Sequence, residues 1–138
     1  MLIYMVDADT NRKKEWQEKR QEVLDGFAAH DDQTKSVACI PMSASESWLL
    51  CDSKAWADVS GKNDINLPAK PEKIWGKRFD PNSNHPHPYF SRTCAAADLK
   101  DDAFTRVAIM EASQADRIKD ACPVSFKAFD SDLTAAVS

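Results

Sequence analysis

Glycine is scarce in this sequence, and its scarcity excludes a whole class of nucleotide-binding site. Only three glycines occur among the 138 residues. Loops that cradle phosphate with a closely approaching backbone need several glycines at fixed spacing, as in G-x-G-x-x-G or the P-loop. Neither pattern is present. A glycine-rich nucleotide-binding loop is therefore excluded.

Long hydrophobic runs and a positive net charge are missing as well. No apolar segment approaches the roughly 20 residues that span a bilayer, and the amino end has neither a basic leader nor a small-residue cleavage site. We therefore expect a cytoplasmic protein with no membrane association. Because the net charge is −4, binding to nucleic acid would need a local basic patch.

Cysteines are few and scattered along the chain. The four of them include no C-x-x-C pair. In a cytosolic chain of this length, free and mostly buried thiols are expected rather than disulfides or a zinc site. The four are Cys39, Cys51, Cys94 and Cys122.

A short apolar run at the amino end stops on two carboxylates. Residues 2–6 (Leu-Ile-Tyr-Met-Val) predict a buried strand, and Asp7 and Asp9 follow it directly. An amphipathic helical pattern and a second β-prone run at 36–40 complete a strand–helix–strand unit. We expect its two strands to be parallel, with both carboxyl ends on the same edge of a sheet.

Asp7 and Asp9 are candidate ligands for a metal ion. Open α/β sheets bind their ligands beyond the carboxyl ends of the strands. Mg²⁺ or Mn²⁺ suits such a place, because these hard cations favour a few carboxylates, water and phosphate oxygens. A cation held there would polarise a phosphoryl group. The alternative is that an aspartate caps the next helix or pairs with Lys13 or Lys14.

Glu46 has two interpretations. The S-x-x-E pattern from Ser43 to Glu46 is that of a capping box, which predicts a helix running on toward Trp56. Glu46 also follows the second predicted strand, so we expect it beside the aspartate pair as a further catalytic group, either a ligand or a base. Trp48, Leu49 and Trp56 are predicted to lie in the core.

Residues 58–93 are rich in proline and lack periodicity, which predicts a long irregular insertion. This stretch is locally basic and contains Trp75 and Phe79, a combination that suits a nucleic-acid backbone or single strand. The alternative is a loop pinned to the body by Trp75. His85 and His87 lack a third nitrogen or sulfur ligand nearby, so no zinc site is predicted. The candidate nucleic-acid-binding residues are Lys62, Lys70, Lys73, Lys77 and Arg78.

The carboxyl-terminal third is predicted to be helical. One of the two aspartates at 101–102 is placed to begin a helix, and residues 113–137 have helical character on either side of Pro123. The whole chain, residues 1–138, is thus predicted to be one α/β domain. It has a small, mostly parallel sheet, flanking helices, an irregular insertion and a helical end.

The strand that ends in Asp7-Ala8-Asp9 resembles the D-x-D motif of Toprim domains, which occur in topoisomerases, primases and OLD-type nucleases. Further segments resemble an uncharacterised bacterial Toprim-like family, most specifically Glu-Ser-Trp-Leu-Leu-Cys-Asp at 46–52. The resemblance implies a Toprim-like, Rossmann-like sheet whose Asp7 and Asp9 bind Mg²⁺. It also implies an activity that cuts or rejoins nucleic acid, often in phage defence. The other matching segments are 40–41, 71–72 and 122–129.

One feature of Toprim domains has no counterpart here. In that fold an earlier strand carries a glutamate that completes the metal site, whereas this sequence begins at the D-x-D strand. We therefore expect that the chain is the carboxyl-terminal part of a split or truncated Toprim-like protein, that Glu46 takes the place of that glutamate, or that the site is incomplete. A sheet edge left uncovered in this way favours a homo-oligomer or a partner chain.

Three functions compete at this point. The first is a Mg²⁺-dependent Toprim-like nuclease domain, or the remnant of one. The second is a non-catalytic regulatory or assembly subunit that keeps the same fold. The third is a phosphatase of the haloacid-dehalogenase kind, in which Asp7 would be the nucleophile, although Asn11 stands where that motif has Thr or Val.

Overall fold

The strand–helix–strand unit predicted at the amino end is present. The computed structural model describes residues 1–30 and 34–138, and it has β1 at Leu2–Met5, α1 at Lys13–Ala29 and β2 at Ser36–Cys39. The two strands are parallel, as predicted, with Leu2 opposite Ser36. The polar stretch at 30–35, between the helical pattern and the second run, predicts a turn, but residues 31–33 of it lie outside the described residues.

The remaining described elements are helical, so the fold is mixed α/β with mostly helices. The helical carboxyl-terminal part is confirmed, since helices lie on both sides of Pro123. No helix in the described ranges is both long and apolar enough to cross a bilayer. The helices are α2 at Glu46–Leu49, α3 at Ser53–Ser60, α4 at Pro86–Ala96, α5 at Ala103–Ala112, α6 at Ala115–Ala121 and α7 at Ser125–Val137.

β2 lies between two apolar layers. Ala38 and Ile40 pack on the side of α1, where the indole nitrogen of Trp16 donates a 2.7 Å hydrogen bond to the Ile40 carbonyl. Cys39 faces the opposite layer and packs against Trp48. Alternate residues of a strand point to opposite faces, so this short segment joins both halves of the core.

A third apolar cluster lies among α2 to α5, and it confirms the core predicted from the sequence. Trp56 and Phe90 are fully buried there, with ring centroids 5.5 Å apart. Leu49 belongs to the same cluster, and Trp48 is buried in the neighbouring one. The four cysteines are free thiols, as predicted, and three of them are buried.

The prediction that β1 is buried is wrong. Each side chain of Leu2–Met5 is about half exposed, although all four are apolar. The reason is that β1 has β2 on one side only, and α1 covers just part of one face, where the Tyr4 ring lies 6.5 Å from Phe27. Backbone pairing alternates along a strand, so the peptide groups of Ile3 and Met5 point away from β2.

The predicted irregular segment 58–93 is too long. Residues 61–85 are irregular apart from one 3₁₀ turn at Pro71–Lys73, but α4 begins at Pro86. Proline suits the first turn of a helix because its missing N–H has no intrahelical partner there. The imidazole Nδ1 of His85 accepts a 3.1 Å hydrogen bond from the His87 amide and so caps the helix.

The predicted capping box at Ser43 is also wrong. Ser43 has a positive φ of 67°, and its hydroxyl donates instead to the carbonyls of Glu72 and Ile74. The single helix expected from Glu46 to Trp56 is interrupted after α2. Asp52 caps the amino end of α3, because its carboxylate accepts hydrogen bonds from two amides of the first turn.

Candidate functional site

The carboxyl ends of the two strands meet at an acidic edge, as the sequence predicted. Asp7 and Asp9 follow β1, Glu46 begins α2 just beyond β2, and the amide of Ser43 donates a 2.7 Å hydrogen bond to the carbonyl of Thr10. Two residues at this edge have left-handed backbones, Asp9 at φ 53° and Ser43 at φ 67°. Such conformations cost about 1 kcal/mol or more in residues other than glycine and cluster at functional sites.

Asp7 lies in the electrostatic field of the two other carboxylates at this edge. Burial raises its pKa, and the negative charges of Glu46 and Asp9 raise it further. A hydrogen bond from the Ser45 backbone and the positive charge of Arg78 act in the opposite direction without cancelling the rise. Among the described residues, no ion pair joins Asp7 or Asp9 to a cationic side chain. The aspartate pair therefore carries negative charge that its neighbours do not neutralise.

Glu46, in contrast, is held by two partners from distant parts of the chain. Its Oε1 accepts a 3.0 Å hydrogen bond from the Arg106 guanidinium and lies 3.0 Å from Nδ1 of His87. Burial alone would raise its pKa, but the hydrogen bonds from His87, from its own backbone and from Arg106 outweigh burial and lower it. Arg106 is itself fixed by Asp101 and by the ring of Phe90, 4.7 Å away.

The two histidines near the site do different work. The ring of His85 is buried 5.0 Å from that of Trp75, and its Nδ1 is used by the His87 amide. Burial lowers the pKa of His85, and the charge of Arg78 lowers it further. His87 turns its Nδ1 to Glu46 instead. The two Nδ1 atoms therefore have different partners.

The donor set at the edge suits a cation held by two carboxylates. Within the described ranges, no three or more His, Cys, Asp or Glu side chains are grouped as a metal site. Glu46 is engaged by Arg106 and His87, which leaves Asp7 and Asp9. Mg²⁺ is commonly bound by one or two carboxylates, with water and substrate phosphate oxygens completing its shell. Asp7 and Asp9 supply that number of carboxylates, and within the described ranges they belong to no larger donor group.

The five basic candidates are not gathered in one place. Arg78 lies close enough to the acidic edge for its charge to lower the pKa of Asp7. Lys73 is tied to the same region, because its carbonyl accepts a 2.8 Å hydrogen bond from the Asn11 side chain. Lys62 lies elsewhere, in a 2.6 Å ion pair with Asp98. The other two candidates, which are exposed on the 61–85 segment, are Lys70 and Lys77.

Sequence reasoning missed Arg106 and His87 as parts of the site. Arg106 lies 60 residues beyond Glu46 in the chain, and nothing near it in the sequence points to a carboxylate partner. A usable signal did exist for His87. The string His-Pro-His-Pro places a proline at the first turn of a helix, and that turn directs the second histidine toward the edge.

Two residues in the segments that carry the family resemblance have structural roles. Asp52 accepts hydrogen bonds from the amide of Gln114 and from the Arg117 guanidinium, so it joins α3 to the start of α6. Glu72 is buried, and its two oxygens accept from the amides of Val124 and Ser125 at the start of α7. Both carboxylates hold helix amino ends, where negative charge is favourable.

Comparisons with models of known protein families, with curated proteins and with solved structures found no match. The Toprim-like family therefore stays a prediction that rests on the sequence segments quoted above.

Proposed function

We propose that the acidic edge is a Mg²⁺- or Mn²⁺-dependent site that processes nucleic-acid phosphodiesters, in a Toprim-like domain of nuclease type. One observation carries the proposal. The carboxyl ends of two parallel strands bring Asp7, Asp9 and Glu46 into one electrostatic cluster, and cationic side chains adjoin it. Carboxylates beside cations form the arrangement that phosphate chemistry requires, since the metal and the phosphate need opposite charges around them.

In this proposal the aspartates and Glu46 have separate roles. Asp7 and Asp9 hold the cation, which would polarise a phosphoryl oxygen when bound. Glu46 is a positioning residue, because the hydrogen bonds to its Oε1 hold Arg106 and His87 beside the edge. Arg78 supplies positive charge for a phosphate next to Asp7.

The test is cleavage of labelled single-stranded DNA, duplex DNA and RNA by the full chain with Mg²⁺ or Mn²⁺. We expect cleavage that chelation abolishes and that Asp7→Asn and Asp9→Asn each lower by two orders of magnitude or more, about the loss seen when a metal site is disrupted. Asp116→Asn is the matched control, because Asp116 is almost fully exposed on α6. That variant should cleave like the original chain.

Binding of Mn²⁺ gives a second readout that does not depend on finding the substrate. Calorimetry should detect one weak site that Asp7→Asn removes and Asp116→Asn keeps. The proposal is wrong if none of the substrates is cut with either metal and Asp7→Asn leaves Mn²⁺ binding unchanged.

A non-catalytic role is the second candidate, and the state of Glu46 favours it. The partners of this carboxylate are Arg106 and His87, so only two carboxylates remain for a metal. We infer in this case a regulatory or assembly subunit that keeps the fold and binds nucleic acid or another protein in the cytoplasm, where free thiols are stable. Nucleic-acid binding or complex formation without cleavage would support it.

We further propose that the open edge of β1 pairs with a strand of a second copy or of a partner chain. The exposed apolar side chains of Leu2–Met5 and the outward peptide groups favour such an addition. Sedimentation of the original chain should show a complex that Met5→Lys dissociates. Val107→Lys is the control, because Val107 on α5 is as exposed as Met5. A monomer at all concentrations, alone and in the presence of cell extract, would contradict this pairing.

A further inference from the structure

A shallow groove adjoins the acidic edge on the side of α4. Its volume is about 440 Å³, and its walls include Arg78, Phe79 and Pro81 on one side and His87 and Arg92 on the other. Ligand sites of this size accept molecules as large as a nucleoside. The groove therefore has room for one base and its sugar beside the proposed phosphate site.

Phe79 gives this groove an unusual wall. Its side chain is 90% exposed, more than that of any other large hydrophobic residue in the described ranges. The guanidinium carbon of Arg78 lies 5.9 Å from the centroid of its ring. A free aromatic face beside a cation is what proteins use to stack an unpaired base while they hold its phosphate.

The charges around the groove favour an anionic ligand. The ionisable residues of its lining are Arg78, His87 and Arg92, with no acidic residue among them, although the chain as a whole carries a net charge of −4. Arg92 is fixed at the rim, because its guanidinium donates 2.7 Å hydrogen bonds to the carbonyls of Pro81 and Ser83. The groove is thus a local cationic and aromatic surface on an acidic protein.

Two of these residues connect the groove to the acidic edge. His87 lines the groove and contacts Glu46, and the charge of Arg78 acts on both Asp7 and His85. A nucleotide seated with its base on Phe79 would have the Arg78 guanidinium, whose carbon lies 5.9 Å from the centroid of that ring, close to its phosphate.

We propose that this groove binds an unpaired nucleobase of single-stranded nucleic acid, with the base stacked on Phe79 and the adjoining phosphate held by Arg78. The proposal rests on the function proposed above, and it narrows the substrate to strands with unpaired bases. DNA and RNA share the chemistry that the groove recognises. A duplex keeps its bases stacked inside, so it lacks the group that Phe79 would contact.

The test is fluorescence anisotropy of the full chain with labelled oligo-dT, in chelator so that no cleavage intervenes. Phe79→Ala should bind oligo-dT roughly 5- to 100-fold more weakly than the original chain, because the variant loses one base–aromatic stack. Phe79→Trp should keep the affinity. Phe104→Ala is the matched control, since Phe104 on α5 is 83% exposed and lies outside the groove lining. An abasic oligonucleotide of equal length should bind the original chain as weakly as oligo-dT binds Phe79→Ala.

Three results would overturn the groove assignment. The first is that Phe79→Ala and Phe104→Ala bind oligo-dT with equal affinity. The second is that the original chain binds the abasic strand as tightly as oligo-dT. The third is that the original chain does not bind oligo-dT. The outcome is separable from the proposed function. Phe79-dependent binding without any cleavage supports the groove and removes the nuclease. Metal-dependent cleavage with Phe79→Ala binding like the original chain does the reverse.

Discussion

The two strands of the sheet are the same length and pair residue for residue, yet their surroundings are opposite. β2 is buried between two apolar layers, whereas β1 is exposed along its whole length. The contrast continues beyond the strands. Glu46, which follows β2, is held by Arg106 and His87. Asp7 follows β1, and burial and the negative charges of Glu46 and Asp9 disfavour the ionised form of its carboxylate. The carboxylate of the β2 half thus has an ion-pair partner within the chain, whereas that of the β1 half has none among the described residues.

This difference indicates where a ligand or partner would act. Native proteins rarely expose a continuous apolar strand or leave like charges unrelieved without a functional reason. A cation at Asp7 and Asp9 would relieve the repulsion, and a second strand would cover β1. The β2 half needs neither, because its side chains already have partners within the chain.

The largest expected effect comes from comparing two isoleucines, one from each half. Ile40, just after β2, is 2% exposed, whereas Ile3 in β1 is 45% exposed. Ile40→Ala should lower the free energy of unfolding by about 3 kcal/mol, because it leaves a cavity, and Ile3→Ala by about 1 kcal/mol. Urea denaturation measures both. A loss for Ile3→Ala that matches that of Ile40→Ala, or that grows with protein concentration, would mean that β1 is covered in solution.

Removing the charge of Glu46 should have the next largest effect. Glu46→Gln should cost about 2 kcal/mol at neutral pH, because it leaves the partly buried Arg106 without the more buried of its two carboxylate partners. The pKa of Glu46 is lowered, so its contribution is present above the unfolded value of 4.5 and is lost as the pH falls through the folded pKa. The difference between variant and original chain should therefore shrink in acid.

Asp101→Asn is the comparison for that measurement, since Asp101 also pairs with Arg106 but is more exposed, at 24% of its side chain against 7% for Glu46. It should cost about 1 kcal/mol, less than Glu46→Gln, because water screens a partly exposed ion pair. Equal losses for the two variants would show that Glu46 is no better held than the more exposed carboxylate, and the contrast between the two halves would be lost.

Asp7→Asn should have the smallest effect, and it has the opposite sign. The variant should gain about 0.5 to 1 kcal/mol at neutral pH, because it removes a partly buried charge and the repulsion of that charge with Glu46 and Asp9. Since the pKa of Asp7 is raised, its ionisation destabilises the fold progressively as the pH rises above the unfolded value of 3.8. Thermal denaturation across this range should show the two proteins converging in acid. Excess Mg²⁺ should stabilise the original chain and not the variant.

The sequence predicted the elements whose signals are local. The parallel strand–helix–strand unit follows from apolar periodicity and from the length of the crossover, and the position of Asp7 and Asp9 at its carboxyl edge follows from that topology. Burial of β1 did not follow. An apolar run reads the same whether or not another element covers it, because burial depends on neighbours that are distant in sequence or in another chain.

Only part of the candidate site could be predicted, and the reason is similar. Glu46 was expected near the aspartates, but its partners His87 and Arg106 are 41 and 60 residues away, and no spacing rule links them. The capping box failed because Ser43 takes a left-handed backbone and uses its hydroxyl on the 3₁₀ turn. Local propensity gave way there to tertiary hydrogen bonds.

Glu72 has a consequence for the entropy of the irregular segment between α3 and α4. By binding the amides at the start of α7, it fixes the middle of that segment to the core. One long loop becomes two shorter ones, each of which loses less entropy on closing than the whole would. Opening of the half that carries Arg78 and Phe79 would break the hydrogen bonds from Arg92 to Pro81 and Ser83 but would leave the other half in place. Amide exchange should be faster in the half that carries Phe79 than at Glu72. A ligand that contacts Arg78 and Phe79 would therefore order only that half and not the entire loop.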